Sequence, residues 1–220
     1  MAKTKSHQSY KSPITGKKVP GATTVINDSL GWNKGALIGW ARKTAMAGED
    51  PNKVRDKAAD IGTLAHALVE EYLVGTPLDR SEYAPADLDI AENAYLAYLD
   101  WEQDKDLHII GSELQLAHPY LMYGGTIDMV AELNGKPTLV DFKTSNNVYN
   151  DHVIQVAAYR KLLIDNEEYE DLGQVPVIIL HIAKDGRFTE HKFTTKELFP
   201  PWQVFAACLQ IRNLKGSMPL

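Results

Sequence analysis

Cysteine is all but missing from this chain. One residue in 220, Cys208, cannot form an intramolecular disulfide, a cysteine-rich zinc site or a four-cysteine iron–sulfur cluster. No apolar run approaches about 18 residues, so no transmembrane span is expected. The N-terminus also lacks the apolar core of a secretory signal. These absences point to a soluble domain in a reducing cytoplasm, with no membrane partner. Acid is missing from residues 1–27, which hold Lys3, Lys5, Lys11, Lys17 and Lys18. Removing those five from the chain's 23 cations leaves 18 against 29 acids, a net charge of −11 for the remainder. Such a body does not attract nucleic acid in bulk. The arm itself reads either as a solubilising tail or as a basic segment touching phosphate.

What is present divides at Pro20-Gly21. Residues 1–20 form a basic flexible arm, and residues 21–220 are long enough for a single domain that buries roughly 70% of its unfolded surface. Ala22–Ile26 is expected as a short extended piece. Helices are expected through Leu37–Ala45, over 53–74 and over 84–104. Strands are expected near 109–117, 124–133 and 138–143, followed by a helix capped by Asp151. Asp185-Gly186 turns a second hairpin between 177–183 and 188–193, whose polar second strand suits a sheet edge. A last helix runs from Trp202 to Leu214, interrupted at its start by Pro200-Pro201. This order predicts an α/β fold with a central mixed sheet flanked by helices.

The chemistry concentrates on one hairpin. Asn134-Gly135 is the strongest short signal for a two-residue type I′ turn. With that turn Leu133 pairs with Lys136, and every opposed pair sums to 269. Asp128 and Asp141 then face each other at a non-hydrogen-bonded pair, with Cβ atoms roughly 4.5–5.5 Å apart. Lys143 projects from the same face. Ile127, Met129, Ala131 and Leu133 share the other face, joined by Val140 and Phe142. Two facing carboxylates repel each other unless something neutralises them, and a divalent cation does so. A surface hairpin with polar residues facing water is the plain alternative. Lys143 and the residues below favour a metal-dependent site for phosphodiester cleavage.

His66 shares a helical stripe with Glu70, while Leu64, Leu68 and Tyr72 take another. It reads as a core histidine or, beside an acidic pair, as a nitrogen ligand suited to Mn²⁺. Gln155 and Tyr159 stand one turn apart on the helix after Lys143, as a surface hydrogen bond or as groups reaching a substrate strand. Glu113 is an outer-sphere acid of the site, a charge lining the cleft, or a solvent-facing residue. Trp32 and Trp40, among Lys34, Arg42 and Lys43, read as core residues or as stacking platforms for a single-stranded end.

These motifs resemble the PD-(D/E)XK nuclease superfamily. Within it they are most similar to the RecB-type exonuclease branch, which includes phage exonucleases and the mitochondrial genome maintenance exonuclease. The branch's Gly-x-x-x-His helix is matched by Gly62 to His66. Its Gly-x-x-Asp strand is matched by Gly125 to Asp128, its Asp-x-Lys strand by Asp141 to Lys143, and its Gln-x-x-x-Tyr helix by Gln155 to Tyr159. The resemblance implies a restriction-endonuclease-like core with an N-terminal helical segment. It also implies that His66, Asp128, Asp141 and the Phe142 carbonyl hold one or two Mg²⁺ or Mn²⁺ ions. Lys143 would orient or help deprotonate the attacking water, with Gln155 and Tyr159 on the substrate strand. Apart from the resemblance, Glu113 and Glu70 are candidates for acids behind the ligands. Two features depart from the wider family. No proline precedes Asp128, and the iron–sulfur cysteines of the CRISPR-adaptation and helicase-linked relatives are missing.

The expected activity is a DNA exonuclease of phage type, acting on ends or single strands in replication, recombination or repair with a phage recombination or replication partner. A structure-specific endonuclease on the same scaffold is the second reading. A catalytically idle DNA-binding or phage assembly module is the third.

Overall fold

The computed structural model describes residues 9–172, 174–183 and 185–219. Its centre is a five-stranded sheet of β3 (Leu107–Ala117), β4 (Gly124–Leu133), β5 (Lys136–Lys143), β6 (Val177–Ile182) and β7 (Phe188–Phe193), in that spatial order. Neighbours run antiparallel except β5 and β6, which are parallel. A parallel pair needs a crossover, and helix α5 (Asn150–Ile164) provides it. The sheet is mixed and flanked by helices, as the order of elements predicts.

Both faces are covered, which explains the near-continuous apolar run of β6. On one side Met129, Val140, Phe142 and Leu180 pack against α3 (Pro51–Val74) and α4 (Pro85–Glu102), through Leu64, Leu68, Tyr98 and Trp101. On the other, Val130, Leu139 and Ile179 meet α1 (Ala22–Ser29), α5 and α6 (Phe199–Lys215) through Val25, Leu162 and Phe205. Strand β7 is the polar edge, and its Glu190 accepts the buried Trp101 indole N–H at 2.6 Å.

Several expectations are corrected. Ala22–Ile26 is helical, because burying Val25 and Ile26 against α5 and α6 outweighs the extended preference of a β-branched run. Tyr149 caps α5, and Asp151 lies in its first turn instead. Pro200-Pro201 falls in the first turn of α6, where a missing N–H costs nothing, so the helix begins there uninterrupted. Of the basic arm, residues 1–8 lie outside the described residues. Its remainder carries a two-stranded ribbon, β1 (Tyr10–Lys11) with β2 (Lys18–Val19), docked by the Tyr10 hydroxyl on Thr126 Oγ1 at 2.9 Å. The helix α2 (Lys34–Met46) buries only Thr44.

The Asn134-Gly135 turn forms with φ of 51° and 76°, the double positive that a type I′ turn requires. The pairs Leu133↔Lys136 through Met129↔Val140 then follow the predicted register, with Pro137 opposite Glu132. A Cβ on Gly135 would meet nothing within 4 Å, so only the backbone demands glycine there. Gly135→Val should therefore lower stability by about 1–2 kcal/mol, measured by urea denaturation. An unchanged midpoint would mean that the turn does not hold the register.

Candidate active site

The ladder between β4 and β5 stops at Met129↔Val140. Beyond it β4 stays with β3 as far as Gly124, and β5 stays with β6 as far as Lys143. The two strands part there and open a cleft. A continued ladder would set Asp128 opposite Asp141 and bond the Phe142 N–H to the Ile127 carbonyl. Instead Asp128 Oδ2 accepts that N–H at 2.7 Å. The expectation of a directly facing aspartate pair is thus corrected by one step, with one carboxylate completing the backbone that the fork leaves open. The alternation of β4 also breaks at this point. Ile127 packs toward α5 and Met129 toward α3 and α4, so they do not share a face as the sequence suggests.

The neighbouring ladder shows a matching fault. β3 and β4 pair at Ser112↔Met129 and Leu114↔Ile127, leaving out Glu113 and Asp128 between them. Glu113 has φ 49°, a left-handed conformation that costs a non-glycine residue on the order of 1–3 kcal/mol. That kink accompanies the entry of Glu113 into the cleft. Ligand atoms of His66, Glu113 and Asp128 all lie within 4.8 Å of one another. Of the readings open for Glu113, the structure has the charge lining the cleft, and places it at ligand distance. The register that opposes Glu113 to Asp128 cannot be counted from the sequence, because the connection over 118–123 is irregular, with Met122 at φ 56°.

His66 reaches the cleft from α3, its Nδ1 3.5 Å from Asp128 Oδ1. Lys143 Nζ stands 2.6 Å from Asp141 Oδ2, and that carboxylate is 1% exposed. The contact is charge-assisted, with the Lys143 ammonium donating to a carboxylate that has scarcely any access to water. Burial pushes the Asp141 carboxyl up to about 6; Lys143 pulls it down and Asp128 pushes it further up. At Asp128 burial also opposes ionisation, yet His66, Lys143 and the Phe142 N–H together hold the pKa below the usual carboxylate range. Burial works against protonation of both cations too. Asp128 nevertheless holds His66 above its ordinary value, and Asp141 and Asp128 do the same for Lys143.

The cleft is a cavity of about 270 Å³ that brings together Glu113, Asp128, Asp141, His66 and Lys143 with Gln155 and Tyr159. Glu70, one turn from His66, does not line it. Gln155 Nε2 donates to the Tyr159 hydroxyl at 2.8 Å and lies 2.9 Å from Thr23 Oγ1, so α1 and α5 close one end. Thr23 and Thr126 are the residues that sequence reasoning missed; α1 brings Thr23 to Gln155 over a long chain separation, whereas Thr126 lies on β4 two residues before Asp128, where Tyr10 of β1 meets it. Gly125 has a steric reason. A Cβ there would lie 2.4 Å from Tyr159 Cε1, so glycine lets the ring pass over β4 into the cleft.

A model of the PD-(D/E)XK nuclease superfamily matches residues 40–219. The chain belongs to that superfamily. Among solved structures it is similar to an alkaline exonuclease, LHK-Exo, from Laribacter hongkongensis. The identity is 16% over 70% of this chain and 82% of that one, with a TM-score of 0.29. LHK-Exo in complex with dAMP aligns at 13% identity over 90% and 93%, with a TM-score of 0.30. SSO0001 aligns at 16% over 66% and 84%, with a TM-score of 0.31. Likenesses this distant say nothing of activity. Comparison with curated proteins gives no match. The matched range begins at Trp40, so the superfamily pattern covers the whole sheet and the His66 helix but not the β1–β2 ribbon or α1.

PD-(D/E)XK nucleases use divalent metals, and the donor set here fits one. It offers one imidazole and carboxylates from three adjacent strands, a combination of nitrogen and hard oxygen that suits Mn²⁺ and Mg²⁺. Among the described residues no helix is long and apolar enough to cross a membrane.

The packing and the charges can each be tested. Gly125→Ala should cost about 1–3 kcal/mol by overpacking, and in a double-mutant cycle by thermal denaturation that cost should nearly vanish when Tyr159→Ala is the background. A cost that persists there would place the strain elsewhere. Asp141 ionises near its ordinary 3.8 when unfolded but at about 6 when folded and metal-free. Its contribution to stability is complete below about 3.8 and lost as pH rises through about 6. Without metal, wild type should lose stability from pH 4.5 to 7 relative to Asp141→Asn in urea titrations. Parallel pH profiles would show that Asp141 ionises normally.

Proposed function

We propose that this chain is a metal-dependent deoxyribonuclease that hydrolyses DNA from an end. Its expected setting is phage-type replication, recombination or repair in the cytoplasm. The observation that carries the reading is the fork itself, where three strands deliver Glu113, Asp128 and Asp141 to one cleft beside His66 and Lys143. The order of the four motifs, from Gly62–His66 to Gln155–Tyr159, supports the exonuclease branch.

The residues divide the work by chemistry. His66, Asp128, Asp141 and the Phe142 carbonyl hold one or two Mg²⁺ or Mn²⁺ ions, with Glu113 close enough to join them. The bound metal supplies positive charge on a non-bridging phosphate oxygen and a lowered pKa for water. Asp128 also fixes the backbone of β5 through the Phe142 N–H, so one residue sets both charge and strand geometry. Lys143, buried and held protonated by its acid neighbours, keeps its ammonium at the cleft to orient the attacking water and stabilise developing charge. The Gln155–Tyr159 pair, with Thr23, presents a fixed row of polar groups to the substrate strand.

Asp128→Ala, Asp141→Ala and Lys143→Ala should each lower cleavage of end-labelled linear DNA by at least about 100-fold, with the fold retained by circular dichroism. EDTA should do the same to wild type. His66→Ala should lose less and shift the preferred metal. Wild-type turnover in any of the three alanine variants would remove that residue from the mechanism. Cutting of circular DNA would make the enzyme an endonuclease. Absence of cleavage with either metal, despite DNA binding, would make it a binding module.

A further inference from the structure

The larger cavity of the molecule lies beside the acidic cleft. It measures about 610 Å³ and runs between α2, α3 and the loop after β5. Gly62, His66 and Lys143 line both spaces, so the two lie side by side. Their chemistry is opposite. The cleft gathers three carboxylates, whereas among the described residues no carboxylate lines the larger groove, in a chain that has 29 acids. Its charged lining is Arg55, Lys143 and, when protonated, His66; its floor is apolar, from Ala58, Ala65, Ala94 and Ile182.

One wall is α2, which faces solvent for almost its whole length. Leu37, Ile38 and Trp40 are 57%, 68% and 38% exposed. Leu37 and Trp40 line the groove, and Tyr149, at the end of the β5–α5 loop, lines it as well. The helix also carries Lys34, Arg42 and Lys43 and no acid. Its start is tied across to α5 by Asn33 Nδ2 on Asp151 Oδ2 at 2.6 Å, which holds an otherwise lightly packed helix in place. Arg55 pairs with its neighbour Asp56, at 2.8 Å on an exposed surface. Such a pair is weak enough to exchange for a phosphate.

We propose that this groove seats a short unpaired stretch of the substrate strand, with Trp40 as the base-stacking wall and Arg55 as a phosphate contact. The inference rests on the proposed nuclease activity and assigns that site its substrate form. Three observations select the occupant. A lining that presents cations while their carboxylate partners lie outside it suits a polyanion, and an apolar floor between aromatic side chains suits bases. A base offers its face for stacking on a side chain only when it is unpaired. The volume, about 610 Å³, is that of a small-ligand pocket, which suits a few nucleotides of a single strand. The strand path then runs from the groove, past Gly62 and His66, to the carboxylates.

The test measures binding of fluorescent oligothymidylate and of a blunt duplex by anisotropy, in EDTA so that nothing is cut. Wild type, Trp40→Ala, Trp40→Phe and Arg55→Ala are compared, with folding checked by thermal denaturation. Trp40→Ala should weaken single-strand binding about 5- to 100-fold, while blunt-duplex binding changes much less. Trp40→Phe should keep most of the affinity, which a merely structural role for the indole would not require. Arg55→Ala should reduce the salt dependence of single-strand binding by about one phosphate contact. Wild-type affinity in Trp40→Ala, with cleavage intact in the parent, would overturn the groove and leave the nuclease standing. Loss of affinity in a parent that never cleaves would uphold the groove and overturn the nuclease. A parent of doubled mass by light scattering, made monomeric by Trp40→Ala with no change in oligonucleotide affinity, would make the face a contact between copies and overturn the proposal.

Discussion

Everything at the centre of this molecule depends on bringing like charges together in a place that water barely reaches. Glu113, Asp128 and Asp141 come from three neighbouring strands, and His66 and Lys143 stand with them as cations. The sheet accepts this arrangement by giving up regularity on both sides of Asp128. Toward β5 the ladder stops early, and the Asp128 side chain takes the backbone N–H that would have gone unpaired. Toward β3 the ladder omits one pair, and Glu113 adopts a left-handed backbone. Strain and repulsion at one point are what a fold retains for chemistry and would otherwise discard.

The covering layers serve that point. α3 supplies His66 on one face of the sheet while packing Leu64 and Leu68 beneath it. α5 crosses the other face, and Gly125 lets its Tyr159 ring reach the cleft edge. Because both faces are buried, the charged residues gather where the strands part, with the apolar core enclosing them.

Much of this was legible in the chain. Asn134-Gly135 set the hairpin register to the residue, since a two-residue turn permits a single pairing. The alternating and periodic runs placed the strands and the longer helices, and the polar β7 sequence placed the sheet edge. Three things escaped. The strand fork was hidden because a ladder's end depends on which neighbour each strand keeps. The approach of Glu113 to ligand distance of Asp128 was hidden because β3 and β4 are joined through an irregular six-residue connection. Ala22–Ile26 was read as extended because local preference was weighed without the burial that α5 and α6 provide. Each miss is a long-range term overriding a local one.

The proposed role of this carboxylate cluster is to be neutralised by a divalent cation, and on that claim the rest of the site depends. Chemical denaturation of the wild-type chain and Asp128→Asn, each with EDTA and with Mn²⁺ at saturating concentration, tests it without reference to any substrate. Binding at the native cleft should stabilise wild type, by about 2.7 kcal/mol at one hundred times the dissociation constant, and should leave Asp128→Asn nearly unmoved. Equal stabilisation of the two chains, or none in either, would contradict the claim.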